Sequence, residues 1–111
     1  MDEKNIKMNP LKFVWLDAYE ADGEWFTAGD YDAPERYVTT YGYPFAANNY
    51  YVSVASTYDE DGDNYAVAIN IPWGMVKEIT SLHRPGDDRT PVVVDAQMLR
   101  RTIENYQQTQ D

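Results

Sequence analysis

Between Arg36 and Ile71 lie three runs of strand-forming side chains, two of them alternating with period two, and these constrain the fold more than any other feature. Arg36–Phe45 carries Tyr37, Val38, Thr39, Thr40, Tyr41 and Tyr43, all β-branched or aromatic. Tyr50–Thr57 alternates strictly, with Tyr50, Val52 and Val54 on one face and Tyr51, Ser53 and Ala55 on the other. Asn64–Ile71 sets Tyr65, Val67, Ile69 and Ile71 against Ala66 and Ala68. Three such runs argue against helix here and call for neighbouring strands. Asn48-Asn49 marks the first turn, and Asp59-Glu60-Asp61-Gly62-Asp63 forms a hairpin tip in which Gly62 is free to take positive φ. Gly42, inside the first run, predicts a bulge or sharp bend.

The flanks extend this pattern. Leu11–Ala18 is short, apolar and bulky, and reads as a first strand. Pro72 offers no N–H to a ladder and Gly74 permits a tight turn, so Ile71-Pro72-Trp73-Gly74-Met75 predicts one 3₁₀ turn before a last strand over Val76–Leu82. Residues 1–10 form a polar flexible arm, and residues 11–82 the β domain. Residues 83–95 are a linker with Pro85-Gly86, then the short run Val92-Val93-Val94, a sixth strand or a docking segment. Asp95 suits an N-cap, and Ala96, Leu99, Ile103 and Tyr106 recur at helical spacing over 96–108. That helix docks on its own domain or carries self-association. Five strands, a long first loop and a 3₁₀ turn before the last strand predict a mainly β fold. The order is that of a small SH3-like five-stranded antiparallel barrel with a C-terminal α-helix. Its expected core is Val14 or Phe13, Leu16, Val38, Val52, Val54, Val67, Ile69, Val76 and Ile79.

A chain of 111 residues is expected to form one domain. It has no cysteine, which removes disulfides, thiolate metal sites and thiol nucleophiles. No apolar run approaches the ~20 residues that span a bilayer. Met1-Asp2-Glu3-Lys4-Asn5 lacks the pattern of a secretory signal, so a cytoplasmic location is expected. The formal net charge of -10 is concentrated between Phe13 and Met75, where eleven acids face one base, Arg36. Such a surface repels phosphate and excludes direct nucleic-acid binding, and it steers toward a basic protein. Solubility alone also accounts for such charge.

Chemistry-bearing motifs are few. The 59–63 loop could hold a cation through its carboxylates. An EF-hand, however, needs Gly sixth and Glu twelfth, whereas Gly62 is fourth and Asn70 twelfth. No metal or cofactor is therefore expected. His83, the one histidine, sits beside Arg84-Pro85-Gly86 with no nucleophile and acid in a recognisable pattern. Gly23, Gly29 and Gly42 are isolated and form no phosphate loop. The expectation is a binding protein, not an enzyme. Ten tyrosines and three tryptophans exceed what one small core needs. Tyr37, Tyr41, Tyr43, Tyr51 and Trp73 either cover core edges or supply interface area with a polar tip.

The segments Trp15-Leu16-Asp17-Ala18, Tyr41-Gly42-Tyr43, Tyr50–Thr57 and Ile71-Pro72-Trp73-Gly74-Met75-Val76 together resemble a loose group of small bacteriophage proteins. These run from a Trp-x-Asp-Ala strand through a Gly-Tyr strand to an Ile-Pro-x-Gly turn. The resemblance covers about residues 11–82. The chain departs from it at Trp73, where a small polar residue or Lys is usual, and by its C-terminal helix. It implies phage origin and, by association, an accessory protein that disables host machinery in the host cytoplasm. The expected recognition surface is the acidic loop 17–35 with the hairpin tip: Asp17, Glu20, Asp22, Glu24, Trp25, Tyr31, Asp59, Glu60, Asp61 and Asp63, with Trp73 as a further apolar anchor. Its partner is a host protein with a basic surface, and nucleic-acid mimicry is one form of that action. A structural or assembly role in the virion is the alternative.

Overall fold

The computed structural model describes residues 9–17, 27–30, 35–82 and 88–109. Five strands, β1 (Leu11–Leu16), β2 (Tyr37–Ala47), β3 (Tyr51–Asp59), β4 (Asn64–Pro72) and β5 (Val76–Ser81), precede one long helix, α1 (Ala96–Thr109). Every strand pairing is antiparallel, in the order β4-β3-β2-β1-β5. The mainly β fold and the C-terminal helix follow the sequence expectation, with strand ends shifted by one or two residues. The sheet is open, with β4 and β5 as its edges.

β2 is long because it serves two partners. Tyr37–Gly42 pairs with β1, from Leu16↔Tyr37 to Leu11↔Gly42, and Tyr43–Ala47 pairs with β3, from Tyr43↔Ala55 to Ala47↔Val52. Gly42 stands at the handover. A Cβ there would lie 2.6 Å from both the Ala55 carbonyl oxygen and Val54 Cγ1, so only glycine lets β3 approach this closely. The register then shifts between Pro44 and Ala46, a bulge at Phe45 that bends the strand further.

The core joins both halves of the sheet to the helix. Leu11, Phe13, Trp15, Val52, Val54, Ile71 and Ile79 cluster with Leu99 and Ile103 of α1. Burying Leu99 and Ile103 stabilises by about 1.5–3 kcal/mol each. Asp95 caps the helix as expected: its Oδ1 accepts the Met98 N–H at 2.9 Å, and its carbonyl accepts the Leu99 N–H at 3.0 Å. Tyr106 is buried, and Gln107 Oε1 accepts the Ala47 N–H at 3.2 Å. The apolar stripe of α1 is therefore used on its own sheet.

Several expectations are corrected. Val67 is 76% exposed and Ile69 40% exposed, so neither belongs to the core. Both lie on edge strand β4, and α1 packs on β2. The β3–β4 ladder also skips one pair. Ala55↔Ala68 is followed by Thr57↔Ala66, and Val67 adopts the left-handed φ of 57° between them. Phe13 is fully buried, while Val14, Leu16, Val38 and Val76 are half-buried. At the hairpin tip Asp63, not Gly62, takes the positive φ, at 51°. A Cβ at Gly62 would lie 2.6 Å from Asn64 Nδ2, the far end of an exposed side chain that can move aside. Val92–Val94 makes no full strand. It joins β5 through a single bridge, Thr80↔Val93, flanked by Ser81 N–H to Val92 O at 2.9 Å and Val94 N–H to Ile79 O at 2.8 Å. The 3₁₀ turn forms at Trp73–Met75, as its Pro and Gly predicted. Residues 1–8 of the arm, and His83 in the linker, lie outside the described residues. Among the described residues no helix is long and apolar enough to cross a membrane.

Candidate functional site

The acidic tip is built by the ends of β3 and β4. Asp59↔Asn64 closes the ladder, and Asp59 Oδ1 accepts the Asp61 N–H at 3.1 Å, a side-chain mimic of a backbone turn. Asp59, Glu60, Asp61 and Asp63 are all exposed. Just below them Tyr58 and Tyr65 form a cross-strand pair whose ring centroids lie 4.8 Å apart. Tyr58 also meets Tyr43 of β2 at 5.6 Å, and Tyr65 stacks on Phe45 at 4.8 Å with a 16° interplanar angle. Four rings from three strands thus form one continuous row. The skipped pair Ser56–Val67 lies two residues from the Tyr58–Tyr65 pair in a ladder of unchanged register, and the bulge at Phe45 bends β2 where it carries that ring.

Where this row meets the tip it leaves a concavity of about 380 Å³, lined by Tyr43, Tyr58, Asp59, Glu60 and Asp61. Tyr58 Oη donates to Asp63 Oδ1 at 3.0 Å. Burial, that hydrogen bond and the surrounding negative charge push the Tyr58 hydroxyl up to about 12. Burial, then the neighbouring Tyr58, Asp63 and Tyr106, push Tyr65 up to about 12 as well. Both stay neutral donors at physiological pH. Aromatic faces beside carboxylates attract a cation through ring quadrupole and charge together.

The remaining expected site residues fall elsewhere. Asp17 follows β1, half-buried, and its N–H donates to the Arg36 carbonyl at 2.9 Å, holding the mouth of the β1–β2 connection. Glu20, Asp22, Glu24, Trp25 and Tyr31 lie outside the described residues. Trp73 is a strand's length from the tip, because it follows Pro72, which pairs with Tyr51 at the other end of the ladder. Its indole N–H donates to the Asn48 carbonyl at 2.8 Å, and its half-buried ring packs on the core. Among the described residues no group of three or more carboxylate or imidazole side chains is placed to hold a metal ion.

Sequence reasoning placed the acids of the tip, offered Tyr43 only as a core-edge or interface residue, and left Tyr58, Phe45 and Tyr65 out of the site. One signal was available: Tyr58 and Tyr65 flank the tip symmetrically, and so had to be cross-strand neighbours. A second tyrosine site has the opposite character. Tyr37 Oη donates to Glu35 Oε2 at 2.8 Å, and Lys77 Nζ sits 4.3 Å over the Tyr37 ring. The hydrogen bond to Glu35, then burial, then the charge of Glu35 raise the Tyr37 hydroxyl above its ordinary range. No family model matches the chain, and no curated protein or solved structure matches it significantly.

Proposed function

We propose that the protein is a non-enzymatic phage accessory protein that binds a basic surface of a host protein and inhibits it, in defence or in transcription. The recognition element is the tip of the β3–β4 hairpin with its tyrosine cup. One observation carries this reading. At Tyr37 the chain supplies its own cation, Lys77, over a ring whose hydroxyl donates to the Glu35 carboxylate. At Tyr43 and Tyr58 the same kinds of group converge, and among the described residues no Lys or Arg pairs with Asp59, Glu60 or Asp61. A partner's Lys or Arg completes the second site as Lys77 completes the first. The acids between residues 17 and 35 add to the chain's net negative charge, which speeds encounter with a basic partner and lets the surface stand in for nucleic acid. The phage assignment rests on the sequence resemblance. An SH3-like reading of the sheet rests on the order β4-β3-β2-β1-β5, on β2 shared between two pairings, and on the 3₁₀ turn before β5.

Affinity capture from host lysate tests the reading. The expected result is one stoichiometric host protein whose affinity falls roughly tenfold for Asp59→Lys/Asp61→Lys, with a flatter salt dependence. Unchanged affinity and an unchanged salt slope sink the tip as the recognition element. Recovery of the chain in purified particles, without a host partner, supports a virion component instead.

A further inference from the structure

We propose that the outer edge of β4 is a strand-addition site for an extended segment of the partner, whose Lys or Arg residues then reach the acidic tip. The two edges of the sheet differ. Along β5 the chain adds its own residues 92–94 through Ser81 N–H to Val92 O and Val94 N–H to Ile79 O. Along β4, among the described residues, nothing lies beyond the strand: its one partner is β3. An edge strand presents unpaired N–H and C=O groups at alternate residues, and proteins usually blunt such edges with charge. Asn64–Pro72 carries no charged residue at all. Only the left-handed Val67 and Pro72 interrupt it, which leaves Ala68–Ile71 as the usable stretch. Val67 and Ile69 stay exposed beside it. Four residues span about 13 Å and suit a short β-forming segment.

Charge selects the occupant. β4 itself is neutral, and it leads at its Asn64 end into Asp59, Glu60, Asp61 and Asp63. A second copy of the chain would bring a further net charge of -10 to this edge and is repelled. A segment with β-branched residues opposite Ala68–Ile71 and cations opposite the tip satisfies both parts. In antiparallel addition those cations follow the β-forming residues in sequence. The inference rests on the cation-receiving reading of the tip for its charge, and on the sheet edge for its geometry.

The test uses a fluorescent synthetic peptide, Val-Thr-Val-Thr-Gly-Arg-Lys-Arg, titrated with the intact protein. Two versions carry N-methyl groups on alternate amides of the Val-Thr stretch, one on the Val set and one on the Thr set. Strand addition uses only one set, so one version should lose roughly tenfold or more in affinity while the other stays within about threefold of the parent. Ile69→Lys, an exposed edge position, should weaken the parent while leaving the melting temperature unchanged. If both methylated peptides bind as the parent does, or a Gly-Ser peptide with the same cations binds equally, the edge proposal falls and the cationic reading of the tip stands. If none of the peptides binds, both fall. A protein that sediments as a dimer, dissolved by Ile69→Lys, makes a second copy the occupant and overturns the proposal.

Discussion

β3 and β4 are two arms of one hairpin, paired from Tyr51↔Pro72 to Asp59↔Asn64, yet they have opposite environments. β3 buries Val52, Ser53, Val54 and Ala55 in an unbroken run, whereas β4 buries Ile71 and exposes Ala66 to Asn70 throughout. Both strands alternate equally well in sequence. What separates them is position: β3 has β2 on one side and β4 on the other, while β4 has β3 alone. Alternation states which residues share a face. It does not state whether anything covers that face. The uncovered strand is also the one that leads into the acidic tip, so the least buried part of the sheet and the most charged part of the described chain are contiguous.

The sharpest way to break the comparison is within β4 itself. Ile71→Ala removes a fully buried side chain that contacts the core cluster, and should cost about 2–5 kcal/mol. Val67→Ala, four residues away on the same strand, should change stability by less than about 0.5 kcal/mol, because its side chain is already in water. Urea denaturation of the two variants side by side checks this. Similar losses would mean that β4 is covered in solution and that its exposed edge does not exist.

A smaller effect is expected on the inner side of β3. Gly42→Ala places a methyl group 2.6 Å from the Ala55 carbonyl oxygen, which is backbone in a ladder and cannot step aside cheaply. The β2–β3 pairing must shift, at a cost of about 1–3 kcal/mol. A thermal melt reads the loss. A neutral Gly42→Ala would show that β3 is held less tightly against β2 than its burial indicates, and the contrast with β4 would weaken.

Much of this contrast was hidden in the sequence for physical reasons. Runs of apolar, β-branched and aromatic residues found all five strands, two of them by period-two alternation, and Pro72 with Gly74 found the 3₁₀ turn, because those signals are local. Asp95 with Leu99, Ile103 and Tyr106 found the helix for the same reason. The core assignment failed at Val67 and Ile69 because exposure depends on which strand ends the sheet and on where α1 lies, and both are long-range facts. The positive φ at Asp63 in place of Gly62 is a detail of the tip's backbone that residue type alone does not encode. At the candidate site the acids Asp59, Glu60, Asp61 and Asp63 were legible as charge. The cup was not, since Tyr43 and Phe45 meet the hairpin's tyrosines only through the β2–β3 pairing after Gly42 and the bulge at Phe45. Trp73 read as an exposed anchor because nothing local shows that its indole N–H is held by Asn48.

The smallest expected effect concerns the tyrosines that join the two arms. Tyr58 of β3 and Tyr65 of β4 have hydroxyls raised from an ordinary 10 to about 12, chiefly by burial and then by Asp63 and neighbouring rings. A folded-state value above the unfolded one means that folding favours the neutral phenol. The stabilisation this represents is present in full below pH 10, and is lost as pH rises from 10 through about 12. Solvent screens groups this exposed, so the loss should be small beside that of Ile71→Ala. It has a distinct signature. Titration of tyrosinate absorbance should show a late limb near pH 12, and Tyr58→Phe and Tyr65→Phe should each remove part of it. Each variant should also lose less stability than the parent between pH 10 and 12. Tyr58→Phe additionally frees Asp63 from its 3.0 Å hydrogen bond, leaving one more unpaired carboxylate beside the cup. If neither variant reduces the late limb, the rings of the two arms do not pack as a row, and the exposed strand is joined to the covered one by its backbone ladder, Ile71 and the Ser53–Asn70 hydrogen bond.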